Sequence, residues 1–137
     1  MIPKPLRELV RQRAEGRCEY CQTSEWLNGL PGEVDHIVPR ILDGPTTADN
    51  LCFACSSCNG YKRARLHGID PETGQEIPLF HPRRQVWRDH FAWSQDVTRV
   101  IGLTPCGRAT IEALRLNHPF IMVARSIWAR VGLHPPI

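Results

Sequence analysis

The sequence predicts an α+β fold, and three observations support this class. Apolar side chains alternate over residues 34–38 before Pro39, which predicts a short strand. A helix is predicted from Ser56 to about Leu66, because Lys62 and its neighbours favour helix. Two more helical segments are predicted after Thr104. The order is therefore strand, loop and helix, followed by a mostly helical extension.

The length of 137 residues suits one domain, or one small domain with an extension. We expect the first domain at residues 1–66, beginning with a helix over residues 5–14. Residues 67–78 contain Gly, Pro and turn-forming side chains, and they are predicted to be a linker or surface loop. Residues 79–137 are expected to form an extension packed on the core. The aromatic residues at its start favour a small core over a base-stacking surface.

The basic residues are strongly biased toward arginine. Of 17 cationic side chains, 15 are Arg, whereas the formal net charge is only +3. Guanidinium groups bind phosphate through two parallel hydrogen bonds, so the bias is compatible with a nucleic-acid partner. A GC-rich genome would produce the same bias, and the composition alone leaves both explanations open.

The sequence favours a cytoplasmic protein. Its N-terminal residues include Pro3, Lys4, Pro5 and Arg7 and do not resemble a secretory signal. No apolar run approaches membrane-spanning length. A reducing compartment would also keep cysteine thiols available as metal ligands.

Four of the six cysteines form two Cys-x-x-Cys pairs: Cys18 with Cys21 and Cys55 with Cys58. Two intervening residues allow both sulfurs of a pair to bind one tetrahedral zinc ion, and four thiolates leave no open position. We therefore expect a structural zinc site. Cys52 and Cys106 have no such spacing and are predicted to be small buried residues. Trp26 and Leu27 are expected to fold back onto the first pair.

Polar residues with catalytic chemistry lie between and beside these cysteines. Asp35 and His36 lie within the predicted strand, Asn50 follows a polar loop, and Asn59 directly follows the second cysteine pair. No hydrophobic core requires such a set. In this order the residues resemble the zinc-bound HNH endonuclease family, over about residues 17–63. The segments 79–83 and 107–110 also resemble, more loosely, an extension found in some bacterial HNH proteins.

This resemblance implies a ββα-metal core and hydrolysis of DNA phosphodiester bonds. It implies that His36 is the general base, and that Asp35 and Asn59 hold a catalytic Mg²⁺ or Mn²⁺ ion. Asn50 is expected to tie the loop through hydrogen bonds to the backbone, which would orient His36. Many family members have His at the third position, so Asn59 makes this chain an H-N-N variant.

Other readings of the sequence remain open. Lys62, Arg40 and Arg63 are candidates for phosphate contact, with solvent exposure as the alternative for each. A zinc-dependent nucleic-acid-binding module without catalysis would use the four cysteines but would not need Asp35, His36 and Asn59. A protein-interaction module is a third possibility. Double-stranded DNA is the expected partner, and the sequence does not determine the oligomeric state.

Overall fold

The computed structural model describes residues 1–136, which fall into two units. Residues 1–66 and 81–85 form the first unit, while residues 67–80 and the described residues from Val86 onward form the second. The elements of the first unit are α1 (Lys4–Arg13), α2 (Glu25–Asn28), β1 (Glu33–His36), β2 (Leu51–Ala54) and α3 (Ser56–Lys62). The elements of the second unit are β3 (His67–Ile69), β4 (Glu76–Pro78), α4 (Trp87–His90), β5 (Phe91–Trp93), β6 (Val100–Gly102), α5 (Pro105–Leu114) and α6 (Pro119–Arg130). These small antiparallel sheets and helices confirm the predicted α+β class.

The first unit is built on the antiparallel pair β1–β2, in which Asp35 pairs with Cys52 and His36 with Leu51. Side chains alternate across the pair, so Asp35 and His36 point to opposite faces. On the His36 face, Val10 of α1 packs with Leu51 and Phe53 to form the buried core. On the Asp35 face the pair contacts α3. The pair β1–β2 with α3 forms the ββα arrangement that the resemblance implied.

Helix α3 begins at the second cysteine pair and is shorter than predicted. Cys55 is its N-cap, and its sulfur accepts a hydrogen bond from the backbone N–H of Cys58. The helix ends at Lys62 instead of about Leu66, because Arg63 adopts a positive φ of 54° and leaves the helical conformation. The predicted helix at residues 5–14 is confirmed as α1, with one residue of difference at each end.

Residues 67–78, which we expected to be a linker or surface loop, form the β3–β4 hairpin. The Gly and Pro content of this segment predicted a loop, but turn residues also build short hairpins. Asp70, at the end of β3, accepts two hydrogen bonds from Arg108 of α5, both at 3.0 Å. Burial of Asp70 and this bidentate contact tie the hairpin to α5, so the segment belongs to the second unit.

The Gly107–Thr110 segment, which we noted for its resemblance to an extension, has a packing role at each position. A Cβ atom on Gly107 would lie 2.1 Å from the carbonyl oxygen of His90, so only glycine fits there. Arg108 binds Asp70, and Ala109 is fully buried. The Thr110 hydroxyl accepts a hydrogen bond from the backbone N–H of Phe80 at 2.9 Å.

The aromatic residues of the second unit form a cluster, as the sequence favoured. Phe80 and Phe91 are buried and meet edge to face with ring centroids 5.3 Å apart, and Trp87 stacks on Phe91 at 5.1 Å. In the first unit, by contrast, Trp26 is 80% exposed, so the expectation that it covers the first cysteine pair was wrong. Cys52 is buried as predicted, but Cys106 is only half-buried. Among the described residues, no helix is both long and apolar enough to cross a membrane.

Candidate functional site

The four paired cysteines converge on one point in the first unit. Cys18 and Cys21 lie in a turn after α1, whereas Cys55 and Cys58 lie at the start of α3. Their four sulfurs all lie within 4.8 Å of one another. The Cys21 and Cys55 sulfurs are 3.7 Å apart, close to the edge of about 3.8 Å of a tetrahedron with metal–sulfur bonds of about 2.3 Å. In each pair the backbone N–H of the second cysteine donates to the sulfur of the first at 3.4 Å.

The electrostatics of this cluster favour a bound cation. Burial raises the pKa of the Cys18 thiol, and hydrogen bonding to Cys18 raises the pKa of Cys58 but lowers that of Cys21. Without a cation, four buried sulfurs so close together cannot all be thiolates. Cys52 lies outside the cluster, 3.7 Å from the Tyr20 hydroxyl, and burial raises its pKa to about 12. It is therefore not a rival ligand.

His36 lies at the end of β1, and its Nε2 atom is 2.8 Å from the hydroxyl of Thr46. Thr46 was not among the predicted functional residues. Burial lowers the pKa of His36 from the ordinary histidine value, nearby Arg40 lowers it further, and Asp35 opposes both effects. The imidazole is therefore neutral near pH 7.

Asp35 lies on the opposite face of β1, in an ion pair with Lys62. The Lys62 Nζ atom is 3.1 Å from Asp35 Oδ2 and also donates to the carbonyl oxygen of His36 at 3.3 Å. The Lys62 side chain is only 3% exposed and that of Asp35 is 17% exposed. Lys62 is therefore not placed to contact phosphate at the surface, contrary to the sequence-based expectation. Its helical position, one turn after Asn59, points it toward β1 instead of solvent.

Asn59 lies on the same face of the β1–β2 pair as Asp35 but contacts a different carboxylate. Its Nδ2 atom donates to Glu33 Oε1 at 2.6 Å. This hydrogen bond orients the amide and leaves Oδ1 available for another partner. Glu33 lies two residues before Asp35 and therefore on the same side of the strand. Because side chains alternate along a strand, the spacing of two residues could have indicated from the sequence that Glu33 shares a face with Asp35.

Asn50 is buried and holds the loop between β1 and β2. Its Oδ1 atom accepts a hydrogen bond from the backbone N–H of Val38 at 2.9 Å, and its Nδ2 atom donates to the carbonyl oxygens of Val38 at 3.0 Å and Pro45 at 2.8 Å. Among the described residues, no hydrogen bond joins the Asn50 side chain to His36. Because Pro45 precedes Thr46, the amide anchors the loop that carries the Thr46 hydroxyl.

The structure thus divides the predicted catalytic residues between two faces of one strand pair. His36 and Thr46 lie on the α1 side, while Asp35 and Asn59 lie on the α3 side, each with its own hydrogen-bond partner. The only group of three or more His, Cys, Asp or Glu side chains that could hold a metal ion among residues 1–136 is the cysteine cluster. Arg40 and Arg63 are both exposed and have no ion pair among the described residues.

Residues 18–65 match the family model of the HNH endonucleases. This segment of the chain is therefore similar to an HNH endonuclease domain. The match covers both cysteine pairs, the β1–β2 pair, the loop held by Asn50 and helix α3. No curated protein matches the chain at a significant level. An HNH domain indicates action on nucleic acid, as a nuclease or as a nucleic-acid-binding protein.

Proposed function

We propose that this protein is a metal-dependent endonuclease that hydrolyses phosphodiester bonds of double-stranded DNA. The observation that carries the proposal is the neutral, hydrogen-bonded His36 at the end of β1, within a segment that matches the HNH endonucleases. A domain that only binds nucleic acid needs no imidazole held in this way.

His36 would accept a proton from the attacking water. Its Nε2 atom is occupied by the Thr46 hydroxyl at 2.8 Å, so Nδ1 is the nitrogen left to take the proton. If Nε2–H donates to Thr46, the lone pair of Nδ1 is the available base, and the tautomer is selected before substrate binds. Asn50 supports this arrangement because it holds the loop at Pro45, directly before Thr46. We therefore assign Asn50 and Thr46 as positioning residues.

The α3 side of the strand pair has oxygen donors that fit a divalent cation such as Mg²⁺ or Mn²⁺. Asp35 offers a carboxylate whose Oδ2 atom is already held by Lys62, and Asn59 offers the Oδ1 atom that Glu33 leaves free. Carboxylate and amide oxygens suit these hard cations. When bound, such an ion would stabilise the charge that develops on the phosphate and the leaving oxygen. The ion pair with Lys62 orients the Asp35 carboxylate for this role.

The cysteine cluster would hold a structural zinc ion and would not take part in hydrolysis. The tetrahedral spacing and burial of its sulfurs suit zinc, and four thiolates leave no position for substrate. The ion would join the turn after α1 to the start of α3, which places α3 against β1. A reducing compartment, such as the cytoplasm, would keep these thiols free for the metal.

Arg40 and Arg63 are the proposed contacts to the DNA backbone. Both are exposed arginines without an ion pair among the described residues, so their guanidinium groups are available for phosphate. Lys62, which neutralises Asp35, is not part of this proposed surface.

The proposal is tested by nicking of supercoiled plasmid with Mg²⁺ or Mn²⁺ added after purification. We expect His36→Ala to lower the rate by about 100- to 10,000-fold, which is typical of a lost general base. His67→Ala changes an exposed histidine in the second unit and should retain wild-type activity. Gel-shift binding of duplex DNA should be the same for both variants.

The same experiment separates the alternative function, a zinc-dependent nucleic-acid-binding module without catalysis. That module would shift duplex DNA but would not nick plasmid under any metal condition. Nicking by the wild type that survives His36→Ala unchanged would show that His36 is not the base. Nicking that persists after Mg²⁺ and Mn²⁺ are removed would refute the proposed cation.

A further inference from the structure

Helix α6 presents several of its large apolar side chains to solvent. Its one buried residue is Arg125, whose guanidinium group donates to the carbonyl oxygens of Thr98 at 2.9 Å and Leu116 at 2.7 Å. Four large apolar side chains of the helix and its C-cap are instead between 54% and 85% exposed: Phe120, Val123, Ile127 and Val131. An ordinary surface helix buries its apolar face, whereas these four side chains face water.

The four exposed side chains form one narrow stripe, called here the α6 stripe. At about 100° per residue, they lie within about 80° of the helix circumference and about 160° from Arg125. Their spacings of three, four and four residues are those of a helix that packs against another helix. The stripe is therefore organised as a contact face and not as scattered surface residues.

The size of the α6 stripe suits a symmetric pair of helices. From the exposed fractions, the four side chains offer about 500 Å² of apolar surface, which is larger than an isolated exposed residue provides. Two copies would bury about 1,000 Å² before flanking atoms are counted, which reaches the size expected of a specific interface. The stripe has no acidic residue, and the one exposed cation at its edge is Arg130. Such a face is poorly suited to the phosphate backbone of DNA.

We propose that the α6 stripe is the interface of a homodimer in which two α6 helices pack antiparallel, with the two-fold axis crossing the stripe at the level of residue 125 along the helix. The stripe is self-complementary in this register. Val123 of one copy meets Ile127 of the second copy, and Phe120 meets Arg130 of the second copy, where a cation–π contact forms. A parallel pair would instead place the two Arg130 side chains against each other. If the nuclease function proposed above holds, such a dimer has one HNH domain for each DNA strand.

Two complementary variants test the interface and its direction: Val123→Glu and Ile127→Lys. Both positions are more than half exposed, so each chain should keep the circular dichroism spectrum and melting temperature of the wild type. Sedimentation velocity then measures the mass of each protein. We expect the wild type at about 31 kDa, twice the 15.6 kDa chain mass. Each variant alone should associate about 100-fold more weakly, because a charge would be buried against an apolar side chain.

Mixing the two variants gives the decisive result. In an antiparallel pair, Glu at one position meets Lys on the second copy while the wild-type Val and Ile meet at the other contact, so the mixture should be dimeric. Leu103→Glu, at an exposed apolar position of the same unit outside the stripe, is the control and should remain a dimer. None of these measurements depends on nuclease activity.

Three outcomes would overturn the proposal. If the wild type is monomeric at every loading concentration, the stripe does not bind a second copy of this chain, and its partner would be a different protein. A dimer that survives both single variants would place the interface elsewhere. Variants that are monomeric alone and remain monomeric when mixed would exclude the antiparallel register.

Discussion

Replacing Thr46 by Val tests whether the loop hydroxyl selects the reactive form of His36. The substitution keeps the branched side chain but removes the oxygen that lies 2.8 Å from His36 Nε2. A hydrogen bond of this kind contributes a net of about 0.5–1.5 kcal/mol, so its loss should lower the nicking rate by about 2- to 12-fold. The larger value applies if both ring tautomers become populated and the ring also loses its orientation.

The assay is the initial rate of plasmid nicking at saturating divalent cation, with three matched variants. Thr46→Ser keeps the hydroxyl and should restore most of the rate. Thr47→Val makes the same chemical change one residue later, where the hydroxyl contacts exposed Asp49 at 2.6 Å, and it should leave the rate unchanged. Equal rates for wild type and Thr46→Val, or equal losses for both valine variants, would refute a positioning role for Thr46.

Three further predictions concern the metal cluster and the buried ion pairs. Lys62→Met should lower the free energy of unfolding by about 2–4 kcal/mol in urea titrations, because it leaves the largely buried carboxylate of Asp35 without its cation. Adding Asp35→Asn should recover part of the lost stability. An unchanged free energy of unfolding in Lys62→Met would contradict this account. Elemental analysis should find about one zinc ion per chain in the wild type and none in Cys58→Ser, which should also lose its folded circular dichroism signal. Cys106→Ser should keep both the zinc ion and the folded signal. The guanidinium group bound to Asp70 holds the pKa of that carboxyl well below its usual range. The ionised Asp70 therefore stabilises the fold fully above about pH 4, and this stabilisation is lost as the pH falls through the lowered pKa. The melting temperature of Asp70→Asn should therefore lie below that of the wild type at pH 7, and the difference should narrow in strong acid; a difference independent of pH would show that the charge is not responsible.

The features that could be predicted from the sequence are local in the chain. Two residues between cysteines limit how far apart their sulfurs can lie, so each Cys-x-x-Cys pair indicated half of a metal site before any fold was known. The helix at residues 5–14 and the strand at residues 34–38 followed from side-chain periodicity within ten residues or fewer. The order of these segments carried the resemblance to the HNH endonucleases, which the family match at residues 18–65 confirms.

The features that were wrong or missed depend on residues distant in the chain. Lys62 was expected at the surface because most lysines are exposed, but it is buried against Asp35, 27 residues earlier. Residues 67–78 were predicted to be a linker or surface loop. Their local sequence gives no sign of the contact between Asp70 and Arg108, which lies 38 residues later. Thr46 had no sequence signal, since one threonine in a polar loop resembles any other.

The sequence by itself determined the class of the fold and the two cysteine pairs, and it predicted the residues that are proposed to build a catalytic site. These depend on residue identity and on spacing over a few residues, which the chain keeps in any conformation. Only the tertiary structure decided which nitrogen of His36 is occupied, which cation neutralises Asp35 and which face of α6 meets solvent. Each of these outcomes depends on strand register and helix rotation, because a shift of one residue in β1 moves a side chain to the opposite face.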